Sequence, residues 1–178
     1  MAKGMHEYAA RLVWDGNTGE GTASYTSYGR QYRVLVPGKP DLSGTADPAF
    51  RGDSGRHNPE ELFLAAISAC HMLFYLALCA RSGVSVIAYE DGVSGGLVID
   101  ADGGGRFEGV TLRPRVTIAA QGQVPLAVQL HETAHQRCFI ANSCGVPIRV
   151  EPIIASTDGA AVFVSPGEPG QPTQGEGR

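Results

Sequence analysis

The chain has 178 residues, of which 43% are hydrophobic, and a formal net charge of −4. That is enough for one domain with its own core, without disulfide staples. No block of Lys or Arg forms a phosphate-tracking stripe, and the most apolar run, Leu62 to Cys79, is interrupted by Ser68 and His71, so neither nucleic acid nor a membrane is an expected partner.

The opening Met1 to Glu7 lacks the apolar stretch of a secretory signal, and a cytoplasmic location is the expectation. His6 to Trp14 reads as a first strand, closed by the turn Asp15-Gly16-Asn17-Thr18-Gly19. Thr22 to Val36, rich in Tyr, Thr and Val, supplies one or two more strands. Pro37 to His57 has little periodicity and reads as a long loop.

A helix opens at Asn58. Asn58 caps it, Pro59 suits the first turn, and Glu61 completes an Asn-x-x-Glu capping box. Leu62, Ala66, Ala69, Leu73 and Ala77 recur at helical spacing until Gly83 ends the run. Apolar groups on more than one face mark a central helix, covered by a sheet on one side and by something else, such as a second subunit, on the other.

Val84 to Asp100 reads as strand interrupted near Gly92 to Gly96, and Phe107 to Ala119 as the returning strand of a hairpin. A second helix is expected over Leu126 to Cys138, and Val146, Ile148 and Val150 alternate as a last short strand. Strands, helix, hairpin, helix and strand in that order predict an α+β domain with a largely antiparallel sheet. Residues 156–178, rich in glycine and proline, read as a disordered tail.

Four cysteines, at 70, 79, 138 and 144, are too few for a disulfide scaffold. Cys70 lies mid-helix among small neighbours, which leaves space beside its sulfur. Cys79, about 13 Å further along the same helix, cannot pair with it and reads as packing. Cys138 closes the second helix with Arg137 and His135 nearby, and Cys144 is an accessory or packing thiol. His131-Glu132-Thr133-Ala134-His135 matches H-E-x-x-H, and Cys138 falls on the same face, so a zinc site is conceivable. Nothing downstream supplies a clear further ligand, and a pocket-lining role for the two histidines is the more ordinary reading.

With these pieces in place, the sequence resembles the osmotically inducible protein C and organic hydroperoxide resistance (OsmC/Ohr) family. The resemblance rests on His6-x-Tyr8 with Trp14-Asp15-Gly16, on Asn58-Pro59-Glu60-Glu61-Leu62-Phe63, on Ser68-Ala69-Cys70-His71, and on Ala134 to Ser143 around Cys138. It implies an α+β, OsmC-like domain over residues 1–155. In that fold an antiparallel sheet packs on central helices, and two chains intertwine as a homodimer.

By the same resemblance Cys70 is the peroxidatic thiolate, Cys138 the resolving thiol and Glu60 the functional carboxylate. The substrate is an organic or lipid hydroperoxide, a dithiol reductant regenerates the enzyme, and no cofactor or metal is required. Leu62, Phe63, Met72, Phe74 and Phe139 are candidates for an apolar pocket wall. The family's arginine is missing from the loop after the first strand, which marks a divergent branch. Arg33 is the preferred substitute, with Arg30, Arg51 and Arg56 as alternatives. A thiol protein that senses oxidants or binds an apolar ligand without turnover is the competing reading.

Glu60 also carries a geometric constraint. It lies ten residues before Cys70, about 15 Å along an unbroken helix, so it cannot touch the sulfur of its own chain directly. An intermediary residue or a partner helix would have to bring it there.

Overall fold

The computed structural model describes residues 4–159 and 162–163. Most of the expected tail, residues 164–178, lies outside the described residues. The chain divides into two compact units, one up to Phe63 and the other from Leu64 onward.

The first unit is a three-stranded antiparallel sheet made of β1 (Arg11–Trp14), β2 (Tyr32–Leu35) and β3 (Leu42–Gly44). β1 is shorter than the sequence suggests because its partner ends. Arg11 pairs with Leu35, and the chain beyond turns at Val36-Pro37, where proline has no N–H to offer. The segment between β1 and β2 is looped rather than extended. Asn17 Oδ1 accepts the N–H groups of Gly19 and Gly21, and the Arg30 guanidinium lies over the rings of Tyr25 and Tyr28. Gly16 is needed there, since a Cβ would stand 1.9 Å from the carbonyl oxygen of Gly29. The long loop after β2 contains β3 and a 3-10 turn at Pro48–Phe50, capped by Asp47.

Helix α1 (Pro59–Arg81) begins with the expected box: Glu61 N–H donates to Asn58 Oδ1 at 2.8 Å, and Asn58 N–H to Glu61 Oε2 at 3.3 Å. It ends as expected at Gly83, whose φ of 75° lets the chain reverse while Val84 N–H bonds back to Cys79. α1 is long and apolar enough to cross a membrane, yet only 22% of its most apolar window is buried. Ile67, His71, Tyr75, Leu78 and Cys79 face inward, while Ala66, Ala69, Leu73 and Ala77 form an exposed stripe.

The second unit continues with β4 (Val86–Asp91), β5 (Ser94–Ile99), β6 (Gly105–Leu112), β7 (Pro114–Ile118), α2 (Val124–Arg137), β8 (Ile148–Val150), β9 (Ile153–Ser156) and β10 (Val162–Phe163). The single returning strand expected at Phe107 to Ala119 is thus two, parted at Arg113. β4/β5, β6/β7 and β8/β9 behave as three long strands that break at the same level, giving sheets ordered β5-β6-β8 and β10-β9-β7-β4. The pairing is largely antiparallel, as expected, with two parallel exceptions. Because α2 carries the chain across from β7, β8 lies parallel to β6 and β9 parallel to β7. β9 and its pairing with β10 extend regular structure past the predicted last strand.

Asp91 organises the break. One carboxylate oxygen accepts the Arg113 N–H at 2.6 Å, and the other accepts the Ser68 hydroxyl of α1 at 2.5 Å. The sheet corner is thereby tied to the helix two residues before Cys70. The core beside it joins Tyr75, Leu78 and Cys79 of α1, Ala127, Leu130 and Ala134 of α2, and Val116, Ile118 and Ile154 of the sheet. Replacing Asp91 with Ala removes both bonds and strands the Arg113 amide. Urea denaturation is expected to show a loss of about 2 kcal/mol, against about 1 kcal/mol for Ser68→Ala.

Candidate functional site

Two thiols meet in the second unit. α1 carries Cys70 at its middle, half-buried, and the C-terminal end of α2 carries Cys138, 1% exposed; both are free. Cys138 is not the last helical residue but the cap. Its backbone is extended, with its N–H bonded to His135, and this turns its side chain out of the helix. The following residues fold into a tight turn. Cys138 Sγ accepts the Ala141 N–H at 3.4 Å, Asn142 Nδ2 donates to the Gln136 carbonyl, and Ser143 Oγ to that of Phe139. Cys144 Sγ donates to the Ile140 carbonyl at 3.2 Å.

The Cys138 thiol is pushed up to about 11, chiefly by burial and then by its hydrogen bond to Cys70, against the opposing pull of the Ala141 amide. Cys138 is therefore held as the neutral thiol. This is a dithiol with unequal members, one more exposed and one buried and protonated.

The contact is flanked on both sides. Toward the surface, the rings of Phe74 and Phe139 meet edge to face at 4.8 Å, with Phe139 70% exposed. Toward the core, His71 Nε2 and His131 Nδ1 lie 3.0 Å apart and share one hydrogen, while the His131 ring stacks on Tyr75 at 3.8 Å. Next to this cluster, Leu73, Phe74, Ala77, Leu78, Arg81 and Arg137 line an open groove of about 260 Å³. Of the expected pocket-wall residues, Phe74 lines it.

His131 is turned into the core against His71 and Tyr75, and no group of three metal-binding side chains occurs among the described residues. Sequence reading missed the His71–His131 pair. Its signal was the stripe Ile67, His71, Tyr75 and Leu78, which puts His71 on the inward face of α1 whatever its polarity.

The other predicted site residues belong to the first unit. Arg33 is held by carboxylates there, Nε on Asp15 at 2.7 Å and Nη1 on Asp41 at 3.1 Å. Arg56 pairs with Asp53 and donates to Ser43, Arg30 is tied to the loop as described, and Arg51 sits at the end of the 3-10 turn with a φ of 69°. Glu60 lies near Tyr32, whose hydroxyl is raised by burial and then by the Glu60 charge. One Glu60 carboxylate oxygen is buried without a hydrogen-bond partner among the described residues.

An α+β fold with a close pair of thiols between its two helices defines the class. Sequence comparison then gives the family: the pattern for OsmC-like proteins matches residues 52–152, and the chain belongs to that family. No curated protein matches its sequence. Among solved structures, an OsmC-like protein of unknown function from Vibrio cholerae is 29% identical, with a TM-score of 0.75, covering 84% of this chain and all of that one. An organic hydroperoxide resistance protein from Elizabethkingia anophelis shares the fold at 19% identity and a TM-score of 0.62, covering 87% of this chain and 99% of that one. Another, from Bacillus subtilis, does so at 23% identity and a TM-score of 0.55, covering 82% and 98%.

The buried imidazoles make stability depend on pH. Burial lowers His71 to about 4, with His135 adding a little, and lowers His131 to about 3, with His71 adding a little. Both are neutral in the fold, whereas in the unfolded chain they take up protons below about 6.5. Their contribution is complete above that pH and is lost as the pH falls toward the folded values. Between pH 7 and pH 5 the loss is about 2 kcal/mol for each ring. Urea midpoints at the two pH values check this, and His71→Phe/His131→Phe is expected to flatten the dependence.

Proposed function

We propose that the protein is a two-cysteine peroxidase that reduces organic hydroperoxides to alcohols. What supports this reading is the proximity of the Cys70 and Cys138 thiols, with the more exposed member on α1. In the first step the Cys70 thiolate attacks the terminal oxygen of ROOH. The O–O bond breaks, ROH leaves with a proton, and Cys70 becomes a sulfenic acid. In the second step the Cys138 sulfur bonds to that of Cys70, and the hydroxyl departs as water with the Cys138 proton. A dithiol reductant then exchanges with the disulfide and restores both thiols.

The different environments of the two thiols suit these roles. A protonated Cys138 stays out of competition for peroxide, and the Ala141 N–H stands ready for the negative charge that the sulfur carries once its proton leaves. Phe74, Phe139 and the neighbouring groove supply apolar surface that favours a bulky organic peroxide over hydrogen peroxide.

A homodimer is part of the proposal. The exposed stripe of Ala66, Ala69, Leu73 and Ala77 offers a close-packing face for a second helix. The buried, unpartnered Glu60 oxygen calls for a donor that a second chain can bring. Such an arrangement also resolves the 15 Å problem, because a carboxylate from a partner helix need not lie on the helix of the thiol it serves. The arginine that would assist Cys70 is Arg33, or one of Arg30, Arg51 and Arg56. A cytoplasmic setting fits free thiols at rest.

Reduced protein treated with cumene hydroperoxide is expected to lose two thiols per chain and to yield a Cys70–Cys138 disulfide on peptide mapping. Cys70→Ser should abolish turnover with a dithiol, and Cys138→Ser should leave a trappable sulfenic acid. Thiols no more reactive than free cysteine would defeat the proposal and leave the ligand-binding or sensing alternative.

A further inference from the structure

We infer that the His71–His131 hydrogen bond is a positioning device that holds α1 and α2 in the register disulfide closure requires. The inference rests on the peroxidase reading and assigns a task to two residues that no step of the chemistry uses. Side chains of α1 meet α2 and the turn after it at three levels: Cys70 is beside Cys138, Phe74 meets Phe139, and His71 and Tyr75 meet His131. The dithiol is therefore clamped between an aromatic contact at the surface and a polar one in the core.

The two clamps differ in kind. Apolar ridges can slide or re-pack with little change in energy, as helix crossing angles and core repacking both indicate. A buried hydrogen bond between two rings of fixed shape cannot. His71 and His131 are 1% and 2% exposed, so a broken bond leaves each ring with a further unmet nitrogen and no water to replace it. Among the described residues His71 Nδ1 and His131 Nε2 have no hydrogen-bond partner, so the shared hydrogen is what satisfies the pair. His71 follows Cys70 directly, and any rotation or slip of α1 that moved the sulfur would stretch this bond.

Closure is the step that needs such control. The Cys138 sulfur must approach the Cys70 sulfenic sulfur along the S–O axis. The S–S bond forms at about 2.05 Å with Cβ atoms about 3.8 Å apart, and water leaves with the thiol proton. Attack on a small peroxide has no comparable demand, because the substrate moves to the thiolate. A register pin therefore acts on the second step and not the first.

The test separates the two steps. Cumene hydroperoxide is mixed with reduced protein. Cys70 oxidation is followed by its rate, closure by disulfide yield against sulfenic-acid trapping, and fold stability by thermal melting. His131→Phe keeps the ring volume and the stack on Tyr75 but removes the bond. Cys70 oxidation is expected to hold within about twofold, and closure to slow by roughly tenfold to a hundredfold, with sulfenic acid accumulating.

His71→Phe/His131→Phe removes both polar partners and should recover stability, since a matched apolar pair is close to neutral, but not closure. His71→Gln, which keeps a donor or acceptor near His131, should retain much of the closure rate. Wild-type closure in the folded double variant, or equal slowing of both steps, overturns the inference. Absence of a Cys70–Cys138 disulfide in the wild-type protein would instead overturn the reading on which it rests.

Discussion

The packing of the middle of α1 against the C-terminal end of α2 is the constraint on which the site depends. Neither helix makes a site by itself. On α1, Cys70 is a thiol among alanines. On α2, Cys138 is a cap residue pointing away from its own helix axis. Only when the two helices run past one another do the thiols come together, and burial there raises that of Cys138. The same burial that places Cys138 raises its thiol, so position and chemistry have one cause.

The sheet serves that contact through its corner. Three long strands all break where β4 gives way to β5, β6 to β7 and β8 to β9, and the break would leave backbone groups unpaired if nothing replaced the ladder bonds. Asp91 takes one of them, the Arg113 N–H, and spends its second oxygen on Ser68 of α1. Glu151 N–H meets the carbonyl of Leu112, and the Glu151 carboxylate reaches the Arg113 guanidinium at 3.3 Å. The bend is thus a polar-satisfied joint, and its link to α1 lies on the turn that bears Cys70. The crossover through α2 that makes β8 and β9 parallel to their neighbours also returns the chain directly after Cys138 and its turn. Topology and site placement are consequences of one connection.

Both helices were legible because their signals are local. Asn58, Pro59 and Glu61 specify where α1 starts, Gly83 where it stops, and the spacing of apolar residues specifies everything between. The cysteines could be singled out by neighbours and by family resemblance. The strands were less legible, since a strand's limits depend on its partner: β1 stops where β2 turns away, and the supposed single strand from Phe107 to Ala119 bends at a joint visible only once Asp91 and Glu151 are beside it. The His71–His131 pair was hidden for a related reason. H-E-x-x-H describes neighbours on one helix, whereas His131 takes its partner from sixty residues away, a relation carried by packing and not by spacing.

The inequality of the two thiols bears on how such a site avoids self-defeat. Two equally exposed, equally ionised cysteines would each meet peroxide, and a sulfenic acid at both positions leaves no thiol to close the bond. Keeping one sulfur buried and protonated prevents that outcome without distance, which closure could not tolerate. The cost is that the buried thiol is a weak nucleophile until its proton leaves. The turn from Ala141 to Cys144, with its amide toward the Cys138 sulfur, is placed to hold the negative charge that sulfur carries once the proton has gone.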